Sequence, residues 1–264
     1  MHGLLNKYNY ALLMGKNQMQ RKEFFLVLQR ADLIAPGVRH LVFACEDNQA
    51  FIFIPGQFIT LHISTPKKTL RRSYSIANSY HNGSAIVEFA ASYIADGVAS
   101  ELLFNLKPGD KITASGPFGR LILRDEQPAR YVLIATGTGV TPYRSMLVEI
   151  EKRLQLQPNL RVMVVFGVRK PEDLLYGDEF VAFAKKNSRF EFHAYYSRMQ
   201  QENPSRHENQ GYVSRIFEKV EFDPVHDVFY LCGNPNMIDE VFAKLIERGF
   251  ATENIRREKY ISSH

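Results

Sequence analysis

The run Arg130-Tyr131-Val132-Leu133-Ile134-Ala135-Thr136-Gly137-Thr138-Gly139-Val140-Thr141-Pro142 (130–142) holds the transition that decides the fold. Its first part is apolar without alternation, as in a strand buried on both faces of a parallel sheet. Its two glycines permit a tight turn and a close approach of backbone to a neighbour. Thr141 is expected to cap the helix that follows, and Pro142 to take the first helical position, where its missing N–H costs nothing. A pyrophosphate fits at such a helix start. The spacing is G-x-G-x-x-P rather than G-x-G-x-x-G, so the loop alone does not name its ligand.

Downstream the same rhythm repeats. A helical stretch is expected from Pro142 to about Leu154, then a strand at 161–168, a helix around 178–186, a strand at 190–196, a helical piece near 213–220, a strand at 227–233 and a helix near 235–248. Alternating apolar strands and helices predict a parallel sheet with both faces covered. Upstream the rhythm differs: short β-branched and aromatic segments at 24–30, 40–46, 57–63, 72–78, 85–91 and 111–116 are punctuated by turns. That spacing predicts an antiparallel barrel or sandwich, with one helical insert from Gly97 to Leu106. The predicted organisation is a tail of unknown role (1–21), an antiparallel β-barrel domain (22–126) and a parallel-sheet α/β domain (127–264).

Composition fits this reading. Of 264 residues, 45% are hydrophobic and 23% charged, the balance of a globular protein with an ample core. The two cysteines, Cys45 and Cys232, form no CxxC and are too few for an iron–sulfur cluster, and the eight histidines show no metal-binding spacing. No metal site is expected. No apolar run approaches the ~18 residues of a membrane helix, and the first twenty residues do not read as a signal peptide, so a cytoplasmic location is expected. The net charge of +5 suits an acidic partner or anionic ligands; without a concentrated basic stripe, nucleic acid is not expected.

Within the barrel half, Arg71-Arg72-Ser73-Tyr74-Ser75-Ile76-Ala77-Asn78 is unusual. On a strand, Arg72 and Tyr74 share one face and Ser73 and Ser75 the other. A guanidinium beside a phenol ring can clamp a phosphate while the ring lies on a flat heterocycle. By these residues alone, an edge strand with solvated arginines is an equal alternative. Gly97-Val98-Ala99-Ser100 opens the helical insert, and such a helix start offers free N–H groups, with the Ser100 hydroxyl, to an anion. In the α/β half, the third strand ends in Ser197 and Arg198. A hydroxyl and a cation stand there in place of the acidic residue that meets an NAD ribose, and they suit a 2′-phosphate. Cys232, before Gly233-Asn234-Pro235, lies at the carboxyl end of its strand and so in the crevice of the sheet.

Taken in order, PGQF (55–58), RxYS (72–75), GxxS (97–100), LKPGD (106–110), SGPFG (115–119) and the G-x-G-x-x-P loop resemble the ferredoxin–NADP reductase family, bacterial type, from about residue 22 to the C-terminus. The resemblance implies that the RxYS strand seats FAD. Arg72 would bind the pyrophosphate, Tyr74 would stack on the isoalloxazine and Ser75 would lie near its N5, with Ser73 in the same seat. Gly97, Val98, Ala99 and Ser100 would hold the pyrophosphate from the other side. Thr138, Gly139, Thr141, Pro142 and Arg144 would receive NADP, with Ser197 and Arg198 on its 2′-phosphate, Tyr212 on its adenine and Arg206 as further charge. Cys232 would pack beside the nicotinamide, and Tyr260 would cover the flavin face; an aromatic followed by four more residues departs from the family pattern there.

The implied activity passes hydride between NADPH and FAD and single electrons to or from ferredoxin or flavodoxin. The protein would act as a monomer; Lys67, Lys68 and Arg71 read first as a solvated loop and alternatively as a basic lip for the acidic carrier. Three alternatives stay open: the reductase component of an oxygenase, a free-flavin or quinone reductase, and an FAD-bearing electron-transfer subunit fed by a protein partner.

Overall fold

The computed structural model describes residues 23–79, 84–124, 127–199 and 204–260; the tail expected over 1–21 lies outside them. The chain divides into two compact units between Ile122 and Leu123, apart from Ile34–Pro36, which group with the second. No helix among the described residues is long and apolar enough to cross a membrane.

The first unit is an antiparallel sheet of β1 (Glu23–Ala35), β2 (Val38–Cys45), β3 (Phe58–Ser64), β4 (Thr69–Ser75), β5 (Ile86–Ser92) and β6 (Lys111–Phe118), in the order β4-β3-β6-β1-β2-β5. The two outer strands meet beyond the end of β4, where Ile76 bridges Phe89 and the Ala77 N–H donates to the Glu88 carbonyl at 2.7 Å, closing the sheet toward a barrel. Alternation sets the inside: Leu26, Leu41, Phe43, Ile59, Leu61, Val87 and Phe89 are fully buried in one core. Each such side chain contributes about 1.5–3 kcal/mol by leaving water. Helix α1 (Val98–Asn105) adds Ala99 and Leu103 to that core, one turn apart on a single face. It stops before Pro108, which biases the residue ahead of it away from helix. Arg39 on β2 donates to the Leu103 and Phe104 carbonyls at 2.9 and 2.7 Å, satisfying the helix's C-terminal end.

The second unit is a six-stranded parallel sheet, β7 (Arg130–Thr136), β8 (Arg161–Val168), β9 (Phe190–Tyr196), β10 (Glu208–Gln210), β11 (Asp227–Gly233) and β12 (Ile255–Lys259), in the order β10-β9-β8-β7-β11-β12. Its helices are α2 (Thr141–Leu156), α3 (Gly177–Lys186) and α4 (Pro235–Glu247). Ile238, Val241 and Leu245 of α4 pack on the face that carries Val132, Ile134, Phe229 and Leu231. On the opposite alternation, Phe180 of α3 stacks on Phe192 with centroids 5.3 Å apart. The chain enters at β7, runs outward through β8, β9 and β10, then returns to lay β11 on the other side of β7. The carboxyl ends of β7 and β11 therefore form the switch point at which open α/β sheets bind ligands.

Three local expectations change. Thr141 does not cap α2: Gly137–Val140 already forms a 3₁₀ turn, so Thr141 has helical dihedrals and no side-chain cap bond is made. The helical piece near 213–220 is a 3₁₀ segment, Val213–Glu218. Strands β10 and β12 extend the sheet beyond the four expected strands.

Candidate functional site

In the first unit, β4 pairs with β3 so that Ile59, Thr60 and Leu61 lie opposite Tyr74, Ser73 and Arg72. Alternation then separates the motif. Tyr74 turns toward the barrel core, where its ring lies 4.8 Å from that of Phe89 and is backed by it. Ser73 faces the other way, its hydroxyl 3.1 Å from that of Thr60. Arg72 shares the Tyr74 face and donates to the Arg71 carbonyl at 2.9 Å. Ser75, at the strand end, is buried. Burial pushes the Tyr74 hydroxyl up to about 12, against a smaller pull downward from the Arg72 guanidinium, so this ring is neutral at physiological pH.

The turn before α1 closes with the Gly97 N–H on the Ile94 carbonyl at 3.0 Å. A Cβ on Gly97 would meet that carbonyl oxygen at 2.9 Å, so only glycine enters the helix here without displacing it. The Ser100 hydroxyl is buried and accepts from the Ile94 N–H at 2.9 Å, leaving its own proton to donate. The first-turn N–H groups of Val98, Ala99 and Ser100 have no partner inside a helix by construction. The hydroxyl and N–H groups make a donor set suited to a dinucleotide's phosphates, and the Arg72 guanidinium on β4 is a donor of the same kind.

In the second unit, the Gly137–Val140 turn packs hard against the end of β11. A Cβ on Gly139 would lie 2.4 Å from the Cys232 carbonyl oxygen, and one on Gly233 would lie 2.5 Å from the Thr136 carbonyl oxygen. The Thr136 hydroxyl accepts from the Asn234 N–H at 3.0 Å, and Asn234 caps α4 by accepting from Asn236 N–H at 2.9 Å. Gly137, at φ 54, has open space where a Cβ would stand. Thr138 lies in the same turn, and Pro142 occupies the first turn of α2. Thr141 is buried, and its hydroxyl oxygen has no hydrogen-bond partner, an orphan polar atom at the start of a helix. Such a cradle fits a nucleotide pyrophosphate. Arg144, one turn on, is ion-paired with Glu179 at 2.8 Å.

Cys232 is fully buried. Burial, and then the Glu258 carboxylate, hold its thiol well above the ordinary value, opposed by a hydrogen bond with Tyr260. Glu258 is level with Cys232 in the β11–β12 register. Tyr260 is not a strand residue; it follows β12, half-buried, and its N–H donates to the Gly233 carbonyl at 2.8 Å. Cys232, Glu258 and Tyr260 thus gather at one strand end.

At the outer edge of the sheet, the Ser197 and Arg198 N–H groups donate to the carbonyls of Val168 and Arg169, both at 3.0 Å, which fixes them at the carboxyl ends of β8 and β9. Gly211 N–H reaches the Tyr196 carbonyl at 2.9 Å, bringing the 70% exposed ring of Tyr212 to the same edge. Arg206 lies in the turn ahead of β10, whose Glu208 is level with Ala194 and whose Gln210 is level with Tyr196, the residue before Ser197.

Three residues absent from the sequence reading stand in these clusters. Arg169 adjoins Arg198, and the signal for it was a cation closing an apolar strand. Tyr93, 46% exposed at the end of β5, stands beside the turn into α1. Glu258 is visible only through register, because the pairing of β12 with β11 is not written locally.

Residues 26–122 match the family described as Oxidoreductase FAD-binding domain, and residues 133–242 the one described as Oxidoreductase NAD-binding domain. The chain is 34% identical over 215 residues to ferredoxin–NADP reductase B of Sorangium cellulosum (strain So ce56), covering 79% of this chain and 85% of that protein. It is 30% identical over 213 residues to the toluate 1,2-dioxygenase electron transfer component of Pseudomonas putida, covering 80% of this chain and 60% of the relative. A solved ferredoxin NADP+ reductase from Neisseria gonorrhoeae, with bound FAD and NADP, shares the fold at a TM-score of 0.77 and 23% identity, over 90% of this chain and 98% of that one. With a six-stranded antiparallel FAD-binding unit followed by a parallel α/β NAD(P)-binding unit, the chain belongs to the ferredoxin–NADP reductase family of oxidoreductases.

Proposed function

We propose that the protein is an NADPH-dependent flavoenzyme that exchanges electrons with a one-electron protein carrier, ferredoxin or flavodoxin. The observation that carries the reading is the convergence at the switch point of an open glycine turn, the orphan Thr141 hydroxyl and the Cys232–Glu258–Tyr260 cluster. When bound, FAD and the nicotinamide supply the hydride and single-electron chemistry, and the protein supplies alignment and electrostatics.

In this reading Arg72 and the first-turn N–H groups of Val98, Ala99 and Ser100 grip the FAD pyrophosphate. Tyr74, neutral and backed by Phe89, presents a rigid surface to the ring system. Ser75 donates at the strand end, Ser73 contributes only main chain because its hydroxyl meets Thr60, and Tyr93 gives the adenine a surface. Thr138, Gly139, Thr141 and Pro142 take the nucleotide pyrophosphate. Ser197 and Arg198, joined by Arg169, take the 2′-phosphate, with Tyr212 under the adenine. Cys232 packs against the nicotinamide as a neutral thiol, Glu258 sets its carboxylate beside that thiol, and Tyr260 covers the flavin face. A second reading, delivery of electrons to an oxygenase, is favoured by the likeness to the toluate dioxygenase component.

An anaerobic absorption titration tests the reading. NADPH is expected to bleach the flavin band efficiently and NADH poorly, and Arg198→Ala to weaken NADPH binding by about 1–3 kcal/mol while sparing NADH. A protein that holds no flavin, or whose flavin neither nucleotide bleaches, overturns it. Reduced flavin that passes electrons to an oxygenase component but not to ferredoxin or flavodoxin selects the second reading.

A further inference from the structure

Arg144 is held more elaborately than a phosphate ligand requires. Its Nε donates to Glu179 Oε2 at 2.8 Å, and its guanidinium carbon stands 4.7 Å from the centre of the Tyr176 ring. Tyr176 reaches that place with left-handed backbone, φ 56 and ψ 19, at the entry to α3. A bulky residue with positive φ is disfavoured and persists where its surroundings over-determine it, often at a ligand clamp. The Glu179 backbone is held independently, because its N–H donates to the Tyr176 carbonyl at 3.0 Å, and its charge lies in the favourable first turn of α3. The ring restrains the face of the guanidinium and the carboxylate occupies its edge. This assembly follows β8, the strand beside β7, at the sheet edge where α2 begins with the Gly137–Val140 turn and the buried orphan hydroxyl of Thr141.

We propose that Glu179 is an exchangeable counter-ion for Arg144, holding the guanidinium on Tyr176 until a phosphate of the dinucleotide takes the carboxylate's place. The inference rests on the nucleotide reading of this edge given above. Because binding breaks one ion pair to make another, Glu179 lowers the net affinity for nucleotide and speeds release of the spent cofactor. The pair is partly exposed, 21% for Arg144 and 47% for Glu179, so its worth is that of a surface ion pair and the exchange stays reversible. Tyr176 keeps the guanidinium aimed whichever anion is present.

Calorimetric titration of the FAD-loaded full chain with NADP+ tests this, with thermal unfolding run on each variant. Glu179→Gln is expected to tighten NADP+ binding by about two- to fivefold, a gain that shrinks with added salt. Arg144→Gln is expected to weaken binding, and in its background Glu179→Gln should change nothing, the mark of a direct coupling. Glu179→Asp, which keeps the charge and shortens its reach, should fall between wild type and Glu179→Gln, and it decides the matter if the glutamine variant unfolds. Unchanged or weaker binding in the folded Glu179 variants, with wild type binding normally, overturns the counter-ion role and leaves the proposed function standing. A wild-type protein that binds neither NADP+ nor NAD+ removes both.

Discussion

At the scale of single residues, Cys232 shows how environment decides chemistry. A thiol at a strand end could serve as a nucleophile, but complete burial and the neighbouring Glu258 carboxylate both favour its protonated form. The residue is thus a neutral thiol, and the role proposed for it is geometric. Cys232→Ala is expected to slow flavin reduction by NADPH by about ten- to a hundredfold with little change in nucleotide affinity, since small misplacements of reacting groups carry penalties of that size. Stopped-flow reduction measures the rate and equilibrium titration the affinity; an unaltered rate returns the cysteine to a packing role. Because its pKa is raised in the folded state, the thiol stays protonated as pH rises past its ordinary value of about 8.5, so the wild-type rate should show no inflection from it below that pH. The stability it lends is likewise complete below that pH and lost only as pH climbs further, toward the folded value.

At the scale of elements, the Gly137–Val140 turn makes a tight joint with β11 in the second unit. Its contact with the end of β11 is backbone on backbone, so Gly139→Ala cannot be relieved by turning a side chain. That substitution is expected to destabilise the protein by about 1–3 kcal/mol and to impair NADP+ binding, read as a lower urea midpoint and a weaker titration. An unchanged midpoint would mean the turn can move. The elements on which this joint depends were legible: the apolar run 130–136, the glycines, the alternation of strand and helix, and the carboxyl-end position of Cys232 follow from local pattern. What was hidden is non-local. Strand β10, Glu208-Asn209-Gln210, has no apolar residue, and β12, Ile255-Arg256-Arg257-Glu258-Lys259, is charge-rich. Both are edge strands whose neighbours make them strands, and polar or charged sequence is what edges carry. Glu258 was hidden for the same reason, and Thr141 was misread as a cap because the 3₁₀ turn ahead of it leaves no trace in composition. The division of Ser73 from Arg72 and Tyr74 was legible from strand alternation, while the Thr60 partner of the Ser73 hydroxyl needed the neighbouring strand.

At the scale of the whole molecule, the phosphate-binding residues proposed for each ligand come from a single unit. The proposed FAD seat draws on β4 and the start of α1, which pack on one core, and the proposed nucleotide seat on β7, β11 and β12, which pack on another. A ligand that binds only folded protein stabilises it by mass action, about 2.7 kcal/mol at a hundredfold excess over its Kd. For a chain of 150–250 residues each kcal/mol moves the melting temperature by about 2–4 °C. Flavin-stripped protein should therefore melt several degrees higher on adding excess FAD. Arg72→Ala, which removes the cation of the phosphate grip, should lose most of that shift while keeping the shift produced by NADP+. Differential scanning fluorimetry of the two proteins with each ligand separates the outcomes. Loss of both shifts together would show that Arg72 supports the fold rather than the flavin. Retention of the full FAD shift in Arg72→Ala would move the phosphate grip to the N–H groups of α1, and with it the physical reason for an arginine in the middle of β4.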